Sequence, residues 1–206
     1  MTTVAQPRVS QVAPEAPDPS VIAEAAACLR QGGLVIFPTE TVYGVGVHAD
    51  DPAAVARLYE AKGRPADKQL TLHVATVDAA RRLPVTWTPV ALELARRFWP
   101  GPLTLVLARQ DGTGTVGIRV PRHAVAEALL SAAQVPVAAS SANHSGQPAP
   151  TTADAAARAL GDAVEQVLDA GPCAVGEPST VIDCSGPAPV ILRPGARHRE
   201  MAQVWG

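Results

Sequence analysis

Three cations fall within seven positions in the stretch "KGRPADK": Lys62, Arg64 and Lys68. Pro65 takes the chain out of the preceding helix pattern and lets Lys68 fold back beside Arg64. Cations past a helix end also serve ordinary helix stability, but three converging in a loop suit a polyphosphate. Arg119 stands inside the otherwise apolar run Val116–Val120, so strand alternation puts it opposite Ile118 and Val120. If that face is a cleft, Arg119 binds a carboxylate or phosphate; if it meets water, it is a solvated arginine. "PTETVYGVG" places the hydroxyls of Thr39 and Thr41 before Gly44 and Gly46, with Glu40 pointing the other way if the segment is extended. "PVAASSANHSG" runs a small-residue strand into Ser140, Ser141, Asn143 and Ser145. Ser179 and Thr180 precede a late strand, and Arg193 ends another. The ligand these residues suit is polar and anionic. Bases are few and unpaired, Glu40 and His73 among them, which favours catalysis by positioning and charge stabilisation over a nucleophile triad.

Elements must carry these residues. Helix patterns cover Val21–Leu29, the Asp51-capped "DPAAVARLYEAKG", Thr88–Trp99, Ala124–Ala132 and Ala153–Leu160. Strand patterns cover Leu34–Phe37, Leu70–Val74, "LTLVLA" and "VGIRV" as a hairpin, Val135–Ala139, and a closing pair "STVIDC" and "PVILR". Short turns between strands predict one α/β domain with a mixed sheet, not a purely parallel doubly wound one.

Composition removes several alternatives. The 206 residues suit one domain, and 47% apolar residues supply a core poor in aromatics. A net charge of −2 gives no general attraction to nucleic acid or anionic lipid. Cys28, Cys173 and Cys184 show no ligand or disulfide spacing, which fits a reducing, cytoplasmic setting. No apolar run is long enough to span a bilayer. Residues 1–18 are expected to form a loose Pro-rich tail, 19–200 the folded domain and 201–206 a short C-terminal tail. "GTGTVG" (112–117) matches a dinucleotide fingerprint in letters only, since a strand pattern closed by proline follows it. No protein-held metal site is expected; a magnesium carried on phosphates would leave little trace.

Six motifs in order, "PTETVYGVG", "KGRP…K…LTLH", "WPGPLTLVL", "VGIRVPRH", "PVAASSANHSG" and "STVIDC…ILRPGA", resemble the YrdC/Sua5/TsaC family from about Val21 to Ala196. The chain ends ten residues beyond "RPGA", so it looks like the short single-domain bacterial form. The resemblance implies a YrdC-like α/β (α+β) fold, with a twisted, mixed or largely antiparallel sheet, flanking helices and a positively charged concave face. It implies L-threonylcarbamoyladenylate synthase activity, a nucleotidyl transfer that joins L-threonine, bicarbonate or CO2, and ATP with Mg2+. The product would feed the t6A modification at adenosine 37 of tRNA through a TsaB/TsaD/TsaE-type complex, with weak tRNA contact and no membrane partner.

Carried over by motif, Lys62, Arg64 and Lys68 are the catalytic cations. Arg64, Lys68, Thr115, Ser141, Asn143 and Arg193 are the ATP contacts. Thr41, His73, Arg119, Ala139 and Ser179 form the threonine site, with Thr39 and Glu40 near it. Gln69 stands where many members have proline, and Val45 where leucine is common. No side chain is assigned as base for the threonine amine. Two other readings are an RNA-binding module without catalysis, and the carbamoyl-adenylate chemistry of hydrogenase maturation proteins, whose chains are much longer.

Overall fold

In the computed structural model, which describes residues 6–205, local punctuation sets the second helix. The Asp51 carboxylate accepts the N–H groups of Ala53 and Ala54, and Pro52 takes the first helical position. Gly63 ends the helix in the left-handed region, at φ +53°. That exit turns the chain so that Arg64 starts the cationic loop instead of another helical turn.

In chain order the elements are β1 (Arg8–Gln11), α1 (Pro19–Arg30), β2 (Val35–Phe37), β3 (Gly44–His48), α2 (Pro52–Lys62) and β4 (Thr71–His73). Next come α3 (Val77–Arg81), α4 (Pro89–Phe98), β5 (Leu103–Ala108), β6 (Thr115–Arg119), α5 (Ala124–Ala133) and β7 (Val137–Ser141). α6 (Ala153–Leu160), β8 (Gln166–Asp169), β9 (Thr180–Asp183), β10 (Val190–Arg193) and α7 (His198–Ala202) complete the described chain. The ten strands form one sheet, ordered β1-β8-β2-β3-β7-β4-β6-β5-β9-β10. It is mixed: β1–β8, β8–β2, β4–β6 and β5–β9 are parallel and the remaining neighbours antiparallel. The expected hairpins, β5–β6 and β9–β10, are both present. "GTGTVG" runs from the hairpin turn into β6, so it is not a phosphate loop.

Period-2 alternation divides the central strands into two faces. Leu105, Ile118 and Ile182 face a core completed by Leu94, Phe98 and Trp99 of the α4 segment. The opposite face carries register rows of different character. His73 pairs with Arg119, and Arg119 with Thr104. Nearby, Ala139 pairs with Thr71, Thr71 with Gly117, and Gly117 with Val106. This is the face left open to a ligand.

Two expectations about the chain ends are corrected. Arg8–Gln11 lies within the stretch read as a loose tail, yet it forms β1 in parallel register with Gln166–Asp169; residues 1–5 lie outside the described residues. Its neighbour β8 carries no strand expectation either. At the other end, Met201 is fully buried, and Val204 and Trp205 pack against the α4 core, so the segment after 200 belongs to the domain. Among the described residues no helix is long and apolar enough to cross a membrane.

Candidate active site

The open sheet face floors a cavity of about 550 Å3, and a second of about 520 Å3 adjoins it. Both have Arg64, Lys68, Ser141 and Arg193 in their walls. The first also takes in Thr115, His73, Arg119, Ala139 and Ser179. The second takes in Lys62 and Asn143. Thr41 lines neither. It is fully buried, and its hydroxyl accepts from Arg119 Nη2 at 2.7 Å and pairs with Thr39 Oγ1 at 2.9 Å. Thr39 is the threonine of this segment that reaches the cavity wall.

The segment around Glu40 departs from the extended reading. Thr39 Oγ1 accepts the N–H groups of Thr41 and Val42 and donates to the Val42 carbonyl at 2.6 Å, closing a side-chain turn. The turn brings Glu40 round to the same partner as its threonine neighbours. Arg119, only 5% exposed, donates from Nη2 to Glu40 Oε1 at 2.9 Å, and Glu40 Oε2 accepts the Arg122 backbone N–H at 3.1 Å. Arg119 is therefore the buried cavity arginine, not the solvated one. Its Nε–H is buried with no partner among the described residues.

His73 is beside it in register, and its Nδ1 lies 3.1 Å from the Thr71 carbonyl. A carbonyl only accepts, so Nδ1 carries the proton and Nε2 keeps its lone pair. Burial pushes the imidazole down to about 3, and the Arg119 charge acts the same way. His73 is thus a neutral hydrogen-bond acceptor at working pH. Its folded value lies below the unfolded value of about 6.5, so the unfolded chain takes up this proton first. The His73 contribution should accordingly make the protein less stable as pH falls from about 6.5 towards 3. Urea midpoints measured between pH 7 and pH 5 should fall in the wild type and fall less in His73→Phe.

The cations divide by role. Arg64 Nε and Nη2 donate to the carbonyls of Lys68 (2.9 Å) and Gln69 (2.8 Å), which folds the loop back and brings Lys68 to both cavity walls. Arg193 Nη2 donates to the Ser179 carbonyl at 2.7 Å and to its hydroxyl at 3.2 Å. Burial and the charges of Arg119 and Arg64 hold Arg193 below the usual arginine range, so these cations share one field. Gly195 permits this closure: the Ala196 N–H bonds to the Pro178 carbonyl, and a Cβ on Gly195 would run into the carbonyl oxygens of Pro178 and Ser179.

Lys62, expected among the catalytic cations beside Arg64 and Lys68, has a different setting from theirs. It is 1% exposed, and its ammonium donates to the backbone carbonyls of Ser141 and Asn143. Burial pushes it down to about 8, with the Arg64 charge adding to the effect. Its first task is to tie α2 to the end of β7. Lys62→Met would take the ammonium away from both carbonyls, leaving Ser141's only the Asn143 N–H, so it should cost about 2–5 kcal/mol of unfolding free energy, measurable by urea denaturation. An unchanged midpoint with lost turnover would return Lys62 to direct phosphate contact.

Thr104 and Leu192 are among the cavity residues that lie outside the sequence-based expectations. Thr104 is buried in β5 and shares a 3.0 Å hydrogen bond with Ser179 Oγ. The alternation that picks out Arg119 also marks Thr104, as a polar residue in an apolar strand. Leu192 is 57% exposed and lines the first cavity. It sits at a register shift between Ile191 and Arg193, so that bulge lets adjacent residues face one cavity. Strand alternation cannot reveal that.

A family model described as "Telomere recombination" and labelled Sua5_yciO_yrdC matches residues 27–195. The chain belongs to the Sua5/YciO/YrdC family. Within that family, the "Threonylcarbamoyl-AMP synthase" of Bacillus subtilis is 44% identical over 192 residues, covering 89% of this chain and 56% of that protein. The chain therefore spans little more than half of that relative's length. The protein of the same name from Xanthomonas axonopodis pv. citri is 35% identical over 77% of this chain and 90% of its own length. Pyrococcus abyssi Sua5, in a crystal structure complexed with L-threonine, superposes with a TM-score of 0.89 at 42% identity, covering 96% of this chain and 61% of that one. The mixed sheet with flanking helices is thus the Sua5/YciO/YrdC fold.

Proposed function

We propose that this chain is an L-threonylcarbamoyladenylate synthase, converting L-threonine, bicarbonate or CO2, and ATP to threonylcarbamoyl-AMP and pyrophosphate. The observation that carries this reading is the junction of two unlike binding regions. A buried guanidinium and a neutral imidazole acceptor are register neighbours on the cavity floor, which suits the carboxylate and amine of an amino acid. Arg64, Lys68 and Arg193 stand where the two cavities adjoin, which suits a triphosphate. The names of the relatives and the threonine complex of Pyrococcus abyssi Sua5 support the same pairing.

Arg119 would take the substrate carboxylate, and His73 Nε2 would accept from the amine. Thr39, Ala139 and Ser179 would frame that side, with Thr41 behind them holding Arg119. Arg64, Lys68, Thr115, Ser141, Asn143 and Arg193 would hold the nucleotide. The amine adds to CO2 and releases a proton, or condenses with bicarbonate and releases water, giving an N-carboxylate. That carboxylate attacks the α-phosphorus, and the bond to the bridging oxygen breaks as pyrophosphate leaves. With its low proton affinity, His73 orients the amine and does not store its proton. Arg64, Lys68 and Arg193 stabilise the charge that builds on the phosphates.

Asn143 and Ser145 line the second cavity, and Asn143 Oδ1 and Ser145 Oγ are buried with no partner among the described residues. Hard oxygen donors there fit a Mg2+ that arrives on ATP, and these two residues would hold it. Such an ion would supply further neutralisation of phosphate charge. We place the reaction in the cytoplasm, in keeping with three free thiols. The labile product would pass to a TsaB/TsaD/TsaE-type complex for t6A synthesis on tRNA. Purified protein with MgATP should release pyrophosphate only when threonine and bicarbonate are both present. Release that ignores threonine would contradict the proposal.

A further inference from the structure

We propose that Glu40 is a positioning residue for the amino-acid substrate: its doubly held carboxylate pins Arg119 by one nitrogen and leaves the Nε–H free for the substrate carboxylate. The inference rests on the proposed reading of the cavity and adds to it the device that keeps the carboxylate site open.

A buried carboxylate beside a substrate-binding arginine poses a problem. Carboxylates favour two-pronged pairing with guanidinium, and Glu40 could occupy the site it borders. The hydrogen bonds show why it does not. Glu40 is 8% exposed, and its Oε1 takes Arg119 Nη2 at 2.9 Å. Its Oε2 is already taken by the Arg122 backbone N–H at 3.1 Å, just beyond β6. With that oxygen committed, Glu40 reaches Arg119 through Oε1 alone. Nη2 carries two hydrogens, and the second goes to Thr41 Oγ1 at 2.7 Å. That nitrogen is therefore filled from the protein side.

Arg119 Nε, in a side chain lining the first cavity, is buried without an acceptor among the described residues. A buried guanidinium N–H left unpaired carries a large desolvation cost, and a ligand acceptor there recovers it. Oε1 is turned to Nη2 and Oε2 to the Arg122 N–H, and neither bonds the Nε–H. The side-chain turn of Thr39 presents Glu40 and Thr41 to the same nitrogen. Arg119 is thereby fixed in one pose before substrate arrives.

Glu40→Gln tests this. Glutamine has one acceptor oxygen and one donor amide, so it can serve Arg119 or the Arg122 N–H but not both. Threonine affinity, read by calorimetry and as KM, should fall about tenfold or more, while the KM for ATP stays within about twofold and the thermal melt stays cooperative. Arg119→Lys supplies the decisive comparison. If Glu40 acts through Arg119, adding Glu40→Gln to Arg119→Lys should weaken threonine binding far less than it does in the wild type. Should Glu40→Gln fail to fold, Thr41→Val removes the other anchor of the same nitrogen and should give a smaller, threonine-selective loss. Unchanged threonine affinity, equal losses for threonine and ATP, or full additivity with Arg119→Lys would overturn the inference. A wild type that binds ATP but no threonine would instead overturn the reading of the cavity, and the inference with it.

Discussion

Arg119→Ala should lower kcat/KM for threonine by about 100-fold or more, because it removes the charged donors proposed to hold the substrate carboxylate. The same change should destabilise the fold by about 3–5 kcal/mol, since it leaves the buried Glu40 carboxylate without its cation. Threonine titrations and urea denaturation separate the two effects. Arg119→Lys keeps a charge near Glu40 but loses the planar set of donors. It should recover much of the stability and little of the threonine affinity. An arginine acting only as a structural ion pair would give the reverse: stability lost in both variants, with threonine KM unchanged in whatever folds.

The second large effect belongs to the cationic loop. Lys68→Ala should raise the KM for ATP by about 10–100-fold with threonine affinity nearly unchanged, the loss expected for one charged phosphate contact of roughly 1.5–3 kcal/mol. Arg64→Ala should do more damage. Arg64 is both a cation at the cavity junction and the tether that folds the loop through the carbonyls of Lys68 and Gln69. Its loss should depress kcat as well as ATP affinity, because Lys68 is no longer held over the phosphates. Steady-state kinetics with ATP varied at saturating threonine and bicarbonate measure both. Unchanged pyrophosphate release in the two variants would remove the phosphate role from this loop.

Part of this site is legible in the amino-acid sequence. Arg119 stands out because one charged residue in an apolar strand must face away from the core, and strand period alone gives the direction. Arg64 and Lys68 stand out because a helix cap and a proline fix where the chain leaves α2. Lys62 is harder to read: its partners are carbonyls at Ser141 and Asn143, about eighty residues away, and backbone carbonyls leave no mark in side-chain patterns. An extended segment after β2 would turn Glu40 away from its threonine neighbours, whereas the Thr39 hydroxyl folds that segment into a turn. Leu192 escapes because a bulge breaks the alternation that would have assigned its face.

The fold divides in a similar way. Hairpins such as β5–β6 and well-capped helices such as α2 rest on neighbours in sequence, so local chemistry reveals them. The β1–β8 pair joins residues 158 positions apart in one parallel ladder. Neither "RVSQ" nor "QVLD" has enough periodic signal to announce a strand, and the prolines around Arg8–Gln11 suggest a tail. Their pairing becomes favourable only once β2 offers β8 an edge, which is a tertiary effect.

Everything proposed for the cavity requires that one pocket join an amino acid, a one-carbon acid and a nucleotide. The purified chain can be incubated with L-threonine, 13C-bicarbonate and MgATP, and the products read by rapid mass detection. The expected product is threonylcarbamoyl-AMP carrying one 13C, formed with pyrophosphate and absent when threonine is withheld. Hydrolysis of ATP to ADP and phosphate, or an AMP adduct without the label, would contradict it.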